Sequence, residues 1–237
     1  MSIPTTPRFP EEGLAFLRAL KRNNRREWFQ AHRDEYERFV KAPMTELVLA
    51  LAHDFRRIAP EMVADPAICL YRIYRDTRFS PEKTPYKTHT AAVFPRRGLG
   101  KMSGAGLYFH ISPSEVWIGG GIYAPSPQQL LAVRQHIAGH YRSFRSIVES
   151  PVFCKSFGEL AGEKLSRVPQ GFRKDHPAME YLKFKQFLAG AECTPKQATS
   201  PKFYGILLKH FEHAMPLLRF LNHPLMEVGG KAPEALD

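Results

Sequence analysis

Apolar residues recur at helical spacing in the first quarter of the chain, alternate with polar ones through its middle, and return to helical spacing afterwards. Gly13 to Arg22 reads as a first helix. Asn24 is placed to cap a second, with Glu27 three residues on in a capping-box-like relation. Trp28, Phe29, His32, Tyr36, Phe39 and Val40 would form the inner face of that helix, and Arg25, Arg26, Arg33, Glu37 and Arg38 the outer one. Pro43 suits the first turn of a third helix reaching Ile58, with Leu47, Leu51 and Phe55 as its apolar stripe. Ile68 to Asp76, rich in β-branched and aromatic residues, then reads as a strand. His89 to Phe94, Gly106 to Ser112 and Glu115 to Tyr123 read as three more, the last two joined by the short link Ser112-Pro113-Ser114. Alternation puts Leu107, Phe109 and Ile111 on a core face and Tyr108, His110 and Trp117 on the other.

Ser126-Pro127-Gln128-Gln129 carries a cap, a proline at the first helical position and a glutamine at the third, so it opens a helix with Leu130, Leu131 and Ile137 inward. Arg142 to Glu149 and Val152 to Leu165 read as partly helical, Pro169-Gln170-Gly171 as a turn, and Asp175 as the cap of a helix over Ala178 to Leu188. Ser200-Pro201 opens the last long helix, with Phe203, Ile206, Leu207 and Phe211 inside. The pattern predicts an α+β fold: a central antiparallel sheet of about four strands, N-terminal helices before it and C-terminal helices after it. One domain is expected over 8–225, with flexible tails at 1–7 and 226–237.

Composition narrows the classes. The chain has 237 residues, 43% of them hydrophobic and 24% charged, as expected of a folded domain rather than of disorder or collagen. No apolar run is long enough to span a bilayer. The N-terminus has no apolar leader segment. Three cysteines, Cys69, Cys154 and Cys193, make no pair at metal or redox spacing, so a reduced, cytoplasmic setting fits. His136 and His140 stand at helical spacing but outside any HExxH context, and no metal or cofactor is expected.

Charge changes the picture more. The net charge is +11, and the stretch from Cys69 to Lys101 holds eight basic residues against two acids, a local +6. Such a field favours anionic partners, or simply a solvated basic face. Within it, Arg72, Arg75 and Arg78 offer planar forks that suit phosphate or carboxylate, with Asp76 between them. Pro81 and Pro85 stiffen the following loop, which holds Lys83, Tyr86, Lys87 and His89, an inventory suited to a phosphate ester. The same residues also suit a structural salt-bridge network of Asp76 with Arg75 or Arg78. Arg96 to Gly106 is a basic, glycine-rich loop without the Walker A pattern; it reads as a flap over an anion or as a hairpin connection. Gly119-Gly120-Gly121, without a GxGxxG context, marks a bulge or the close approach of another backbone or ligand. No GxSxG elbow or cysteine with a local base supports nucleophilic catalysis.

Several stretches taken together resemble a known family. They are Phe16-Leu17 with Leu20, Asn23-Asn24, Trp28-Phe29 and Tyr36; Arg72-Ile73-Tyr74-Arg75-Asp76-Thr77-Arg78-Phe79; and Lys83-Thr84-Pro85-Tyr86-Lys87. Gly119-Gly120-Gly121-Ile122-Tyr123, Arg134-Gln135-His136-Ile137 and Pro169-Gln170-Gly171-Phe172 complete the set. The pattern resembles DUF2461, a family of conserved hypothetical proteins, from Phe9 to Leu225. The resemblance implies a single soluble domain and brings no reaction, ligand or catalytic residue with it.

The sequence thus favours binding of a phosphate-bearing or other anionic ligand, an anionic small molecule, through Arg72, Arg75, Asp76, Arg78, Lys83, Tyr86, Lys87 and His89. Three alternatives stand beside it. The same stretch, with Arg25, Arg26 and Arg33, could track nucleic acid while Tyr86 or Trp117 stacks on bases. Asp76 or His89 could serve as acid or base in an enzyme acting on a phosphorylated small molecule. The Arg/Asp cluster could be purely structural in an interaction module.

Overall fold

A computed structural model describes residues 7–76, 78 and 83–229. The elements run α1 (Glu11–Arg22), α2 (Arg26–Ala31), α3 (Arg33–Tyr36), a π-helical turn (Glu37–Lys41), α4 (Ala42–Ile58), α5 (Pro66–Cys69), β1 (Thr90–Phe94), β2 (Gly106–Ile111) and β3 (Val116–Ile122). Then come α6 (Pro127–Gly139), α7 (Tyr141–Val148), α8 (Pro151–Phe157), α9 (Met179–Leu182), β4 (Phe187–Cys193), α10 (Pro195–Ala198) and α11 (Phe203–Gly229). The four strands form one antiparallel sheet in the order β1-β2-β3-β4, with helices before and after it.

Backbone contacts gather the chain into two compact units. The first takes the described residues of Met1–Val93 with Tyr108–Ile118 and Glu192–Lys209. Its core comes from the faces that helical spacing predicts: Leu14, Leu17 and Leu20 of α1, and Met44, Leu47, Val48, Leu51 and Phe55 of α4, all buried. Phe109 of β2 meets Phe203 of α11 edge-on at 6.5 Å. Full burial of such side chains stabilises by about 1.5–3 kcal/mol each. Leu107, Phe109 and Ile111 are fully buried, and Tyr108, His110 and Trp117 are half-buried, as alternation predicts.

The second unit takes Phe94–Leu107, Gly119–Ala191 and the described part of His210–Asp237. Ser126 and Gln129 form the predicted capping box of α6, with Pro127 at its first position. The inner face of α6 differs from expectation: Ile137 and Val133 are buried, but Leu131 is 45% exposed and Arg134 is only 9% exposed. Arg134 spends its Nη2 on the carbonyl of Phe184 at 2.9 Å. That bond ties α6 to the segment before β4, and desolvation lowers the guanidinium pKa. Asn222 of α11, 2% exposed, grips the backbone of Ala105 twice, accepting from its N–H at 2.8 Å and donating to its carbonyl at 2.9 Å. With Ser103 O accepting from Gln129 Nε2 at 2.6 Å, the end of the glycine-rich 96–106 loop is held down as a β1–β2 connection.

Three expectations are corrected. Ile68 to Asp76 is not a sheet strand: Asp65 caps α5 through Ala67 N–H at 2.8 Å, and the residues after it make only isolated bridges, Leu70 to Ala92 and Tyr74 to Tyr86. The helix expected to run to Leu188 stops at Leu182, and Phe187–Cys193 is the fourth strand instead. The reason lies in β3. A Cβ on Gly119 would sit 2.0 Å from the carbonyl oxygen of Ala189, and one on Gly121 would sit 2.0 Å from that of Phe187. The glycine run is therefore where the backbone of β4 comes close, which the pattern around 187–193 does not announce. Lastly, the tail expected from residue 226 is helical as far as Gly229, because α11 runs on across Pro216 and Pro224.

Gly119→Ala should destabilise the fold by about 3 kcal/mol, since a backbone carbonyl cannot step aside as a side chain can. Gly139→Ala, which meets open space at the end of α6, should be neutral or stabilise by up to about 1 kcal/mol. Urea denaturation of the two variants beside wild type checks both.

Candidate functional site

The described residues on either side of 79–82, Tyr71 to Asp76 and Lys83 to Lys87, pair as an irregular antiparallel ribbon within the first unit. Tyr71 N–H bonds Ala91 O at 3.0 Å, Lys87 N–H bonds Ile73 O at 2.8 Å, and Arg75 N–H bonds Pro85 O at 2.9 Å. Pro85 has no N–H to return, which helps explain why this pairing stays irregular and does not extend the sheet. Ile73 points inward and is buried, while Arg72, Tyr74 and Asp76 face out. Residues Thr77 and Phe79 to Glu82, part of the predicted loop, lie outside the described residues.

Asn24 fixes this ribbon. Its Oδ1 accepts from Tyr86 N–H at 3.0 Å and its Nδ2 donates to Tyr86 O at 2.9 Å, so one amide pairs a backbone as a strand neighbour would. The expected helix cap is therefore spent elsewhere: α2 begins at Arg26 with no side-chain cap at its N-terminus. The Tyr86 ring stacks on Phe29 of α2 at 4.2 Å and 22°. Tyr74, 51% exposed, leans against both, 5.5 Å from Tyr86 and 6.3 Å from Phe29.

Between α2 and the ribbon lies a cavity of about 450 Å³, lined by Arg26, Gln30, Arg33, Arg75 and Lys83 with Tyr74, Tyr86 and neighbouring residues. Among the described residues, no carboxylate lines it. Among the described residues, no carboxylate lies within ion-pair distance of Arg26 or Arg33. Helical spacing explains the grouping: Arg26, Phe29 and Gln30 stand at i, i+3 and i+4 on one face of α2, and Arg33 follows at the start of α3. A second cavity, about 320 Å³, shares Phe29, Arg33 and Tyr74 with the first and continues along Tyr36, Tyr71, Arg72, Met44 and Leu70.

The structure brings some of the eight expected residues together and separates others. Arg75, Lys83 and Tyr86 line the larger cavity, and Arg72 the smaller. Asp76 and Arg78 pair with each other at 3.1 and 2.8 Å, and Asp76 also takes the backbone N–H of Arg78 at 3.2 Å. The Arg78 bonds hold the Asp76 carboxyl down at about 2, so it stays ionised and is a weak base. Lys87 lies over the Tyr71 ring at 5.0 Å and donates to Arg72 O at 3.2 Å. His89 sits apart, its ring 5.7 Å from that of His110, which pairs with Glu115 at 3.3 Å. Burial first, then His110, Lys87 and Arg75, push His89 down to about 4, with Glu115 opposing them. It is therefore neutral at pH 7.

Phe29, Gln30, Tyr74 and Pro85 line the cavity but were absent from the expected ligand-binding set, as were Arg26 and Arg33. The signal for the two arginines was present in the basic outer face of the second helix, which suggested only a long polyanion. Asn24 gave no such signal, because its partner lies 62 positions away. Among the described residues, no three His, Cys, Asp or Glu side chains gather as metal ligands would. No helix among them is long and apolar enough to cross a membrane.

Asn24→Ala would leave the Tyr86 N–H and C=O without their partner and should cost about 1–3 kcal/mol, read by thermal or urea unfolding. His89 has a second, pH-dependent consequence. Its folded pKa lies below its unfolded value of 6.5, so the unfolded chain binds a proton first as pH falls. Its contribution to stability is complete above about 6.5 and is lost as pH drops towards about 4. The slope of unfolding free energy against pH in that window should flatten in His89→Gln; an unchanged slope would remove His89 as its source.

Comparison with known proteins agrees with the sequence pattern. No curated protein and no solved structure matches the chain. A family model described as "Conserved hypothetical protein (DUF2461)" matches residues 12–220. That span takes in Asn24, the ribbon and the cation-lined cavity, and the chain belongs to the DUF2461 family.

Proposed function

We propose that the protein binds a phosphate-bearing or other anionic ligand in the cavity between α2 and the 71–87 ribbon. The observation that carries this reading is four cationic side chains, Arg26, Arg33, Arg75 and Lys83, around one cavity, with no carboxylate within ion-pair distance of Arg26 or Arg33 among the described residues. Arg26 and Arg33 repel each other, and an anion between them relieves that repulsion while accepting charge-assisted hydrogen bonds. Three of the cations are arginines, whose planar forks match the oxygens of phosphate. Gln30, Phe29, Tyr74, Pro85 and Tyr86 also line the cavity. Asp76 has a different part here: it holds Arg78 in a paired geometry beside the cavity rather than working as a base.

The acid/base reading is less well supported. A general base works best with a pKa near the working pH, and Asp76 at about 2 and His89 at about 4 both lie well below neutrality. The nucleic-acid reading uses the same cations and differs in its salt response. A strand crossing several phosphates releases several counterions, whereas one small anion gives a shallow slope.

Titration calorimetry with inorganic phosphate across a salt series tests the proposal. Arg33→Ala should weaken binding by about 1.5–3 kcal/mol, as expected for a hydrogen bond to a charged group. The proposal is overturned if folded wild type takes up no phosphate at low salt, or if Arg33→Ala binds it equally well.

A further inference from the structure

The two adjoining cavities differ in character, and the difference specifies the ligand further. The larger is ringed by Arg26, Arg33, Arg75 and Lys83. The smaller is lined mostly by apolar and aromatic surface, from Tyr36, Tyr71, Met44, Leu70 and Ile73, with Arg33, Glu37, Lys41 and Arg72 also in its wall. They meet at Phe29, Arg33 and Tyr74, which line both. Tyr74 stands at that junction with half its surface open, although it touches two other aromatic rings. An aromatic ring left open where a charged cavity passes into an apolar one is placed to stack on a flat apolar group joined to an anion. Each cavity lies in the size range of small-molecule sites. Tyr36 adds to the apolar character of the smaller one: burial, then Glu37 and Tyr74, push its phenol up to about 12, so it remains an uncharged hydroxyl.

Building on the anion-binding reading above, we propose that the ligand is a mononucleotide: its phosphate sits among Arg26, Arg33, Arg75 and Lys83, and its base packs on Tyr74 towards Tyr36 and Tyr71. Glu37 and Lys41, paired at 2.7 Å, lie along the smaller cavity and offer an acceptor and a donor to the polar edge of a base.

Calorimetry with inorganic phosphate, ribose 5-phosphate, the four 5′-ribonucleoside monophosphates and a short single-stranded oligonucleotide tests this. At least one monophosphate should bind about tenfold or more tightly than ribose 5-phosphate, the size of one base–aromatic stack. In Tyr74→Ala the ratio of the two affinities should fall towards one, while Tyr74→Phe should keep it. If phosphate and ribose 5-phosphate bind as well as every mononucleotide, the base site is wrong and the anion reading stands. If neither phosphate nor any mononucleotide binds the folded protein, both are wrong. An oligonucleotide that binds far more tightly than any mononucleotide, with a steep salt slope, overturns the proposal in favour of a nucleic-acid strand.

Discussion

The amide of Asn24 and the backbone of Tyr86 exchange two hydrogen bonds, and the geometry of the cleft depends on them. Tyr86 stands in a ribbon with few regular backbone bonds, flanked by a proline that cannot donate. Left alone, such a segment has several arrangements of similar energy. A single side chain from the turn between α1 and α2 removes that freedom by supplying the donor and acceptor a neighbouring strand would have supplied. It also sets Phe29 under the Tyr86 ring and brings Arg26 and Arg33 across from Arg75 and Lys83.

Where charge is matched and where it is not gives this surface its polarity. Asp76 and Arg78 satisfy each other in the open, and exposed pairs of this kind contribute little to stability. Nearby, Arg26 and Arg33 face a cavity with no carboxylate among its described lining residues. Folding has a net cost in gathering like charges, which burial of Phe29 and Tyr86 beside them offsets. Stability and ligand binding therefore draw on adjacent side chains: the aromatic pair holds the wall, and the cations stand on it.

Much of the fold was legible because most of its helices bury periodic faces. The inner faces of α1 and α4, the cap of α6, the alternation in β2 and the basic stretch all follow from neighbours within a few residues. What escaped depends on partners distant in sequence. Phe187–Cys193 carries little alternation of its own and becomes a strand because the glycines of β3 let it approach. Asn24 reads as a helix cap by its local sequence and is diverted by a backbone 62 positions on. Leu131, expected inward, is exposed, while Arg134 is buried with its guanidinium on the Phe184 carbonyl. Of the cleft, the ribbon's cations were visible, but the helix that faces them was recognisable only as a charged surface.

The late arrival of β4 has a consequence for how the chain reaches this state. Sixty-four residues separate Ile122 from Phe187, so β3 and β4 close a long loop when they pair. The entropy of such closure grows only slowly with length, but non-local pairing of this kind slows folding. During synthesis the first three strands emerge well before the fourth, and the Gly119–Gly121 edge of β3 lies open with no side chain to guard it. The feature that lets two backbones come so close in the finished sheet makes the growing chain, for that interval, a template for any extended strand it meets.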